Sequence, residues 1–168
     1  MVYEMEEISD RLEIHDLFAR YVHAVDDKDF PPLESIFVPD TTFDWSTSGG
    51  MVATWEEVKR GDFMTGKLFP YSFHICTNIV IDFDADRNGA TVRSKTVHPT
   101  GLEAIDEKQS GPLLFQVQGV YVDRLKRTAE GWRITDRVWR RFWETGPLDH
   151  VDGIPGMLKL AGKALPGT

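Results

Sequence analysis

The sequence predicts an α+β domain in which N-terminal helices pack against a cone-shaped, curved antiparallel sheet, an α+β barrel. Three observations carry this. An apolar stripe at helical spacing runs from about Glu6 to Asp26; four long β-rich runs follow later in the chain; and the helical part precedes the strand part. Helices first and a long meander afterwards share one core only if the helices lie on one face of the sheet.

In the first segment Ile14, Leu17, Phe18, Tyr21 and Val25 recur at helical spacing, with Ile8, Leu12, Ala19 and Val22 widening the stripe. "FPPLESIFVPD" predicts a second, short helix, with proline near its first turn and Pro39 closing it. "TTFDWSTSGGMVATW" alternates around a Ser-Gly-Gly turn and predicts a small hairpin. Thr54, three residues before Glu57, forms a capping-box pattern that opens a third helix to about Leu68. The strand candidates are "SFHICTNIVIDF", "GATVRSKTVHPTGL", "LLFQVQGVYVDRLKR" and "GWRITDRVWRRFWE", with "DADRNG" joining the first pair and "TAEG" the last. Residues 1–146 form the expected domain. Residues 147–168, rich in Gly and Pro, form a C-terminal extension expected to pack on a neighbouring subunit or to fray.

Composition removes several classes of function. At 168 residues the chain can enclose one core without staples. A formal charge of -8, with no basic cluster to offset it, argues against nucleic acid. Cys76 is the single cysteine, so neither an intrachain disulfide nor a cysteine-based zinc cluster can form. No apolar run reaches membrane-spanning length and the first residues lack a signal-peptide pattern, so no membrane partner is expected and cytoplasm is the expected compartment.

In "YVHAVDDKDF", residues 21–30, Asp26, Asp27 and Asp29 crowd the point where the helical stripe ends. A helix C-terminus carries partial negative charge, so acids there oppose local stability. Either one carboxylate points inward to do chemistry or the group is a solvated, turn-forming cap. Asp26 is the inward candidate, and Asp27 and Asp29 are read as solvent-facing or capping. On the strands, His74 shares parity with Cys76 and Asn78, and His98 with Val92, Ser94 and Thr96, placing both imidazoles near strand ends at the mouth of the cone. His15, His23 and His150 have no constellation around them. Phe43, Trp45, Tyr71, Phe73, Phe115, Trp139 and Trp143 are numerous for so small a core. They imply either a cavity for an apolar or aromatic small molecule or a subunit interface. A homo-oligomer, dimer or trimer, is expected.

The order of helix, "AVDDKDF", "TTFDW", capped helix, "FHICTN", "VHPTG" and "EGWRI" resembles the SnoaL-like branch of the nuclear-transport-factor-2-like superfamily, over about Glu6 to Glu144. Within it the chain is similar to scytalone dehydratases and bile acid 7α-dehydratases. The resemblance implies that an aspartate just past the first helix, Asp26, pairs with a histidine that begins a central strand, His74. It implies a tyrosine five residues before the aspartate, Tyr21, and a second histidine on the next strand, His98. The chain departs from scytalone dehydratases at Val25, where they have tyrosine, and at Trp45, where another substrate-binding tyrosine falls. A polar pair of theirs falls on Gly119 and Tyr121. Phe43, Trp45, Asn78, Tyr121 and Trp139 are the expected substrate contacts.

These residue types suit an elimination of water or a proton shift beside a carbonyl. Such chemistry needs a base near neutral pKa, an acid for the departing oxygen and a donor for the enolate. His74 is the expected base, Asp26 its orienter, Tyr21 the donor, and His98 the group that protonates the departing hydroxyl or stabilises its charge. The expectation is a lyase needing no cofactor and no metal, dehydratase-like, acting on a hydroxylated cyclic or aromatic small molecule. Three alternatives use the same residues or the same fold. One is an isomerase or polyketide cyclase, and another a two-histidine, one-carboxylate iron site. The third is a non-catalytic small subunit of a ring-hydroxylating oxygenase.

Overall fold

The computed structural model describes residues 2–48, 50–61, 64, 69–102 and 112–146. The C-terminal extension and most of the expected continuation of the third helix lie outside the described residues. No helix among the described residues is long and apolar enough to cross a membrane.

Helix α1, Met5–Asp26, buries Ile14, Leu17, Phe18, Tyr21, Ala24 and Val25, the predicted stripe. The buried face is narrower than the pattern suggests, because Ile8, Leu12 and Ala19 are exposed. An acid occupies its N-terminal end instead. Asp10, 3% exposed, accepts from Arg127 Nη2 at 2.6 Å, Arg87 Nη2 at 2.7 Å and the Trp132 indole at 3.2 Å. These donors come from two different hairpins of the sheet, so one carboxylate fastens the start of the helix to both.

The segment predicted as a second helix is corrected. A 3₁₀ turn, Pro31–Ser35, gives way at once to strand β1, Phe37–Asp44, which contains Pro39. Proline is tolerated there because the β1 ladder is interrupted between Phe37 and Thr42, so no N–H is missed. The Thr41 hydroxyl bridges the gap, lying 2.7 Å from the Ile134 carbonyl and 2.8 Å from that of Val38. Strand β2, Val52–Thr54, pairs antiparallel with β1 to make the expected hairpin. Helix α2, Trp55–Arg60, opens with the predicted capping box and ends at Gly61.

Strands β3 (Tyr71–Ser72), β4 (Ile75–Phe83), β5 (Gly89–Leu102), β6 (Leu113–Thr128) and β7 (Gly131–Thr145) complete one seven-stranded sheet ordered β2-β1-β7-β6-β5-β3, with β4 also on β5. All ladders are antiparallel except β1 with β7, so the sheet is mixed. That parallel pair has the rest of the fold as its crossover, which a parallel connection needs. Bulges interrupt β4 between Thr77 and Val80, and the β6–β7 ladder at two places. Each adds a residue to one strand and increases local twist, curling the sheet around α1. Trp55, Trp132, Phe18, Ile14, Leu33 and Ile36 fill the interior between them.

Replacing Asp10 by Ala strands two guanidinium groups and an indole N–H. Urea unfolding is expected to show a loss of about 2–3 kcal/mol, against near-wild-type stability if the cluster is ornamental.

Candidate active site

Asp26 is the last residue of α1, and His74 lies in the short link between β3 and β4. One carboxylate oxygen, Oδ1, is 2.5 Å from His74 Nδ1, and the other, Oδ2, accepts the His74 backbone N–H at 2.6 Å. Both oxygens are thus engaged by one residue, with side chains 11% and 13% exposed. Burial acts to raise the Asp26 pKa, but the hydrogen bonds and charge of His74 outweigh it and hold the carboxyl below its ordinary 3.8. An ionised Asp26 accepts the Nδ1 proton, which assigns the His74 tautomer and leaves Nε2 as the free basic nitrogen. Asp27 and Asp29 are exposed, as expected. One detail is corrected: β4 lies at the sheet edge beside β5, so His74 begins an edge strand and not a central one.

His98, on β5, sits with its ring centroid 4.1 Å from that of His74 and stacks on Trp139 at 4.7 Å with the planes 17° apart. Gly119 makes that stack possible, since a Cβ there would lie 2.7 Å from the Trp139 indole edge and 2.3 Å from the Arg140 carbonyl oxygen. Burial first, then the charges of His74 and Arg137, push the His98 pKa well below 6.5. The imidazolium form is therefore disfavoured, and His98 enters the site as a neutral ring whose buried Nε2 has no partner among the described residues. The expected role of protonating a hydroxyl becomes that of a neutral hydrogen-bonding group. Tyr21 and Tyr121 close the cluster, their hydroxyls 3.5 Å apart, and Tyr21 meets the His74 ring edge-on at 6.4 Å. Burial first, then Tyr21, raises the Tyr121 pKa well above 10, so its hydroxyl keeps its proton as a donor.

Of the other expected substrate contacts, Trp139 and Tyr121 join this cluster, with their rings 5.0 Å apart. Phe43 is a buried core residue stacked on Trp45 at 5.1 Å, and the pair connects to Tyr21 through Phe37. Asn78 is corrected outright. It takes the left-handed conformation, φ 50, inside the β4 bulge and is exposed. The added residue reverses the alternation, so inward positions pass from His74 and Cys76 to Ile79, Ile81 and Phe83. Tyr71, Phe73 and Trp143 are also exposed, so the surplus of aromatics is partly an outer-surface feature.

The sequence reading missed Arg137, 1% exposed. Its Nε and Nη2 donate to Asp123 at 2.7 and 3.1 Å. The guanidinium lies against both Tyr21 and Tyr121, 4.1 and 4.3 Å from their ring centroids. Burial opposes its charge, yet Asp123 more than offsets this and keeps it cationic. Nη1 is buried and has no partner among the described residues, which leaves both of its N–H groups available. Alternation from Trp132 and Ile134 points Asp136 inward, but the extra residue Thr135 in the β6–β7 ladder turns Arg137 in instead. A signal did exist. Asp123 shares parity with buried Tyr121 and Leu125, and an acid on a core-facing position requires a cationic partner.

The described residues contain no group of three or more metal-binding side chains. His74 aims Nδ1 at Asp26 itself, the geometry of a hydrogen-bonded pair and not of two ligands facing a common ion.

A sequence model of the SnoaL-like domain matches residues 6–138. The chain belongs to the SnoaL-like family. Over 133 residues this SnoaL-like chain is 32% identical to the uncharacterized protein Rv2910c of Mycobacterium tuberculosis, covering 79% of the chain and 85% of that protein. Among solved structures it is similar to a candidate scytalone dehydratase from Novosphingobium aromaticivorans, with a TM-score of 0.69 at 20% identity over 95% of this chain and 97% of the other. It is also similar to the hexachlorocyclohexane dehydrochlorinase LinA-type3 from Novosphingobium barchaimii, with a TM-score of 0.70 at 17% identity over 86% and 94%. At these identities the structural likeness shows a shared fold.

The depressed pKa of His98 has a sign. On acidification the unfolded chain, at about 6.5, takes up this proton before the folded one does. The stability contributed by a neutral His98 is therefore whole above 6.5 and is lost as pH falls from there toward its folded value. Between about pH 7 and 5.5, His98→Phe is expected to lose about 1 kcal/mol less stability than wild type in urea unfolding. Equal losses would place a charged imidazole in the folded protein.

Proposed function

We propose that this SnoaL-like protein is a cofactor-independent lyase that eliminates water from a hydroxylated cyclic or aromatic small molecule. The observation that carries this reading is the two-point grip of Asp26 on His74 beside a buried cluster of neutral and cationic donors. His74 Nε2 removes a proton from a carbon next to a carbonyl, and Asp26 stabilises the imidazolium that forms. The electron pair moves into an enolate, whose oxygen takes hydrogen bonds from the tyrosine hydroxyls and from the free Arg137 Nη1. The enolate then re-forms the carbonyl and expels the β-hydroxyl, which takes up the proton carried by His74 and leaves as water. Neutral His98 orients the departing oxygen without supplying net charge. The family likeness supports elimination as a reaction type, since one structural relative is named a dehydratase and another a dehydrochlorinase.

A panel of cyclic and aromatic β-hydroxy ketones, incubated with the protein and followed by mass spectrometry, is expected to yield a product lighter by one water. A product of unchanged mass would instead indicate an isomerase or cyclase. On any turned-over compound, His74→Ala is expected to cost at least about a hundredfold in turnover. Near-normal turnover by the folded variant would remove His74 as base.

A further inference from the structure

At the C-terminal end of α1, Lys28 adopts a left-handed backbone, φ 59, a position where glycine or asparagine is usual. The turn sends its half-buried side chain back over the helix end. Nζ donates to the Val25 carbonyl at 3.2 Å and to the Ser72 hydroxyl. A lysine capping a helix terminus accounts for the first bond. It does not account for the second, which leaves the helix and reaches β3.

Ser72 stands two residues before His74 and is fixed in the sheet by pairing with Thr100. Its oxygen accepts from Lys28, which leaves the single hydroxyl proton free to donate elsewhere. Lys28 therefore ties Val25, the neighbour of Asp26 on α1, to the strand residue two before His74. Lys28 with Ser72 thus bridges helix and sheet beside the bridge made by Asp26 with His74.

We propose that Lys28 and Ser72 are positioning residues for the Asp26–His74 dyad, holding the carboxylate in the orientation that presents both oxygens to His74. The physical need is the one raised by three aspartates at this helix end. The terminal carbonyls of α1 repel the Asp26 carboxylate, and a side chain so placed turns toward water unless a cation offsets the field and a second contact restricts rotation. Lys28 supplies the cation at the Val25 carbonyl, and its bond to Ser72 holds the helix end against the strand that leads into His74. The inference rests on the dyad used in the lyase reading and needs no knowledge of the substrate.

The test reads the His74 tautomer directly, by long-range proton–nitrogen NMR of the imidazoles in the nitrogen-15-labelled full chain, at a pH where the ring is neutral. Wild type is expected to show a single tautomer protonated on Nδ1. Lys28→Met and Ser72→Ala, with circular dichroism unchanged, are expected to lose it to a mixture, and Lys28→Arg to keep it. A pure Nδ1–H tautomer in both Lys28→Met and Ser72→Ala would overturn the positioning role while sparing the dyad. A tautomer unaffected even by Asp26→Asn would overturn the dyad and this inference with it.

Discussion

The contact between Asp26 and His74 is the constraint on which the rest of the site depends. It joins the end of a helix to the edge of a sheet through both oxygens of one carboxylate, the first on the ring and the second on the backbone of the same residue. A carboxylate removed from water is costly unless paired and hydrogen-bonded, and here the pairing wins, as the downward pKa of Asp26 records. The backbone bond locates the histidine, the ring bond chooses its tautomer, and together they leave one nitrogen as a base. The electrostatic conflict at the helix end is resolved by the same geometry, with Lys28 placed where the field of the terminal carbonyls is strongest.

Around this contact the interior assigns different states to similar side chains. His74 and His98 are adjacent rings, yet one faces an ionised acid and the other faces tryptophan, burial and positive charge. Environment holds the His98 ring neutral while Asp26 orients that of His74. Burial contributes most to the state of His98, and the charges of His74 and then Arg137 add to it. Arg137, bonded to Asp123 and set against two mutually perpendicular tyrosine rings, brings a fixed cation into the core, which adds to the suppression of His98 protonation and leaves the N–H groups of Nη1 without a partner among the described residues. Donors already desolvated and held in place by a bidentate carboxylate need little reorganisation when negative charge develops on a bound oxygen.

The irregularities of the sheet are as consequential as its regular ladders. The added residue at Asn78 turns that side chain out to solvent and brings Ile79 and Ile81 in, while the one at Thr135 brings Arg137 into the core. Gly119 leaves room for the indole of Trp139, which in turn stacks on His98. The same bulges that curl the sheet around α1 therefore also decide which side chains meet inside it.

The sequence by itself determined the elements whose signals are local. These are the helix ending at Asp26, the capping box at Thr54, the β1–β2 hairpin and the four long strand runs, together with the candidates Asp26, His74, Tyr21 and His98. Periodicity and capping chemistry act over a few residues, so they are legible in one dimension. The tertiary structure alone decided the strand replacing the second helix, the parallel pairing of β1 with β7, the inward turn of Arg137, the outward turn of Asn78 and the neutral state of His98. Each depends on a partner distant in the chain: a ladder that tolerates Pro39, a bulge that reverses alternation, or the burial of a ring against distant side chains. Such partners exist only once the sheet has closed around the helix.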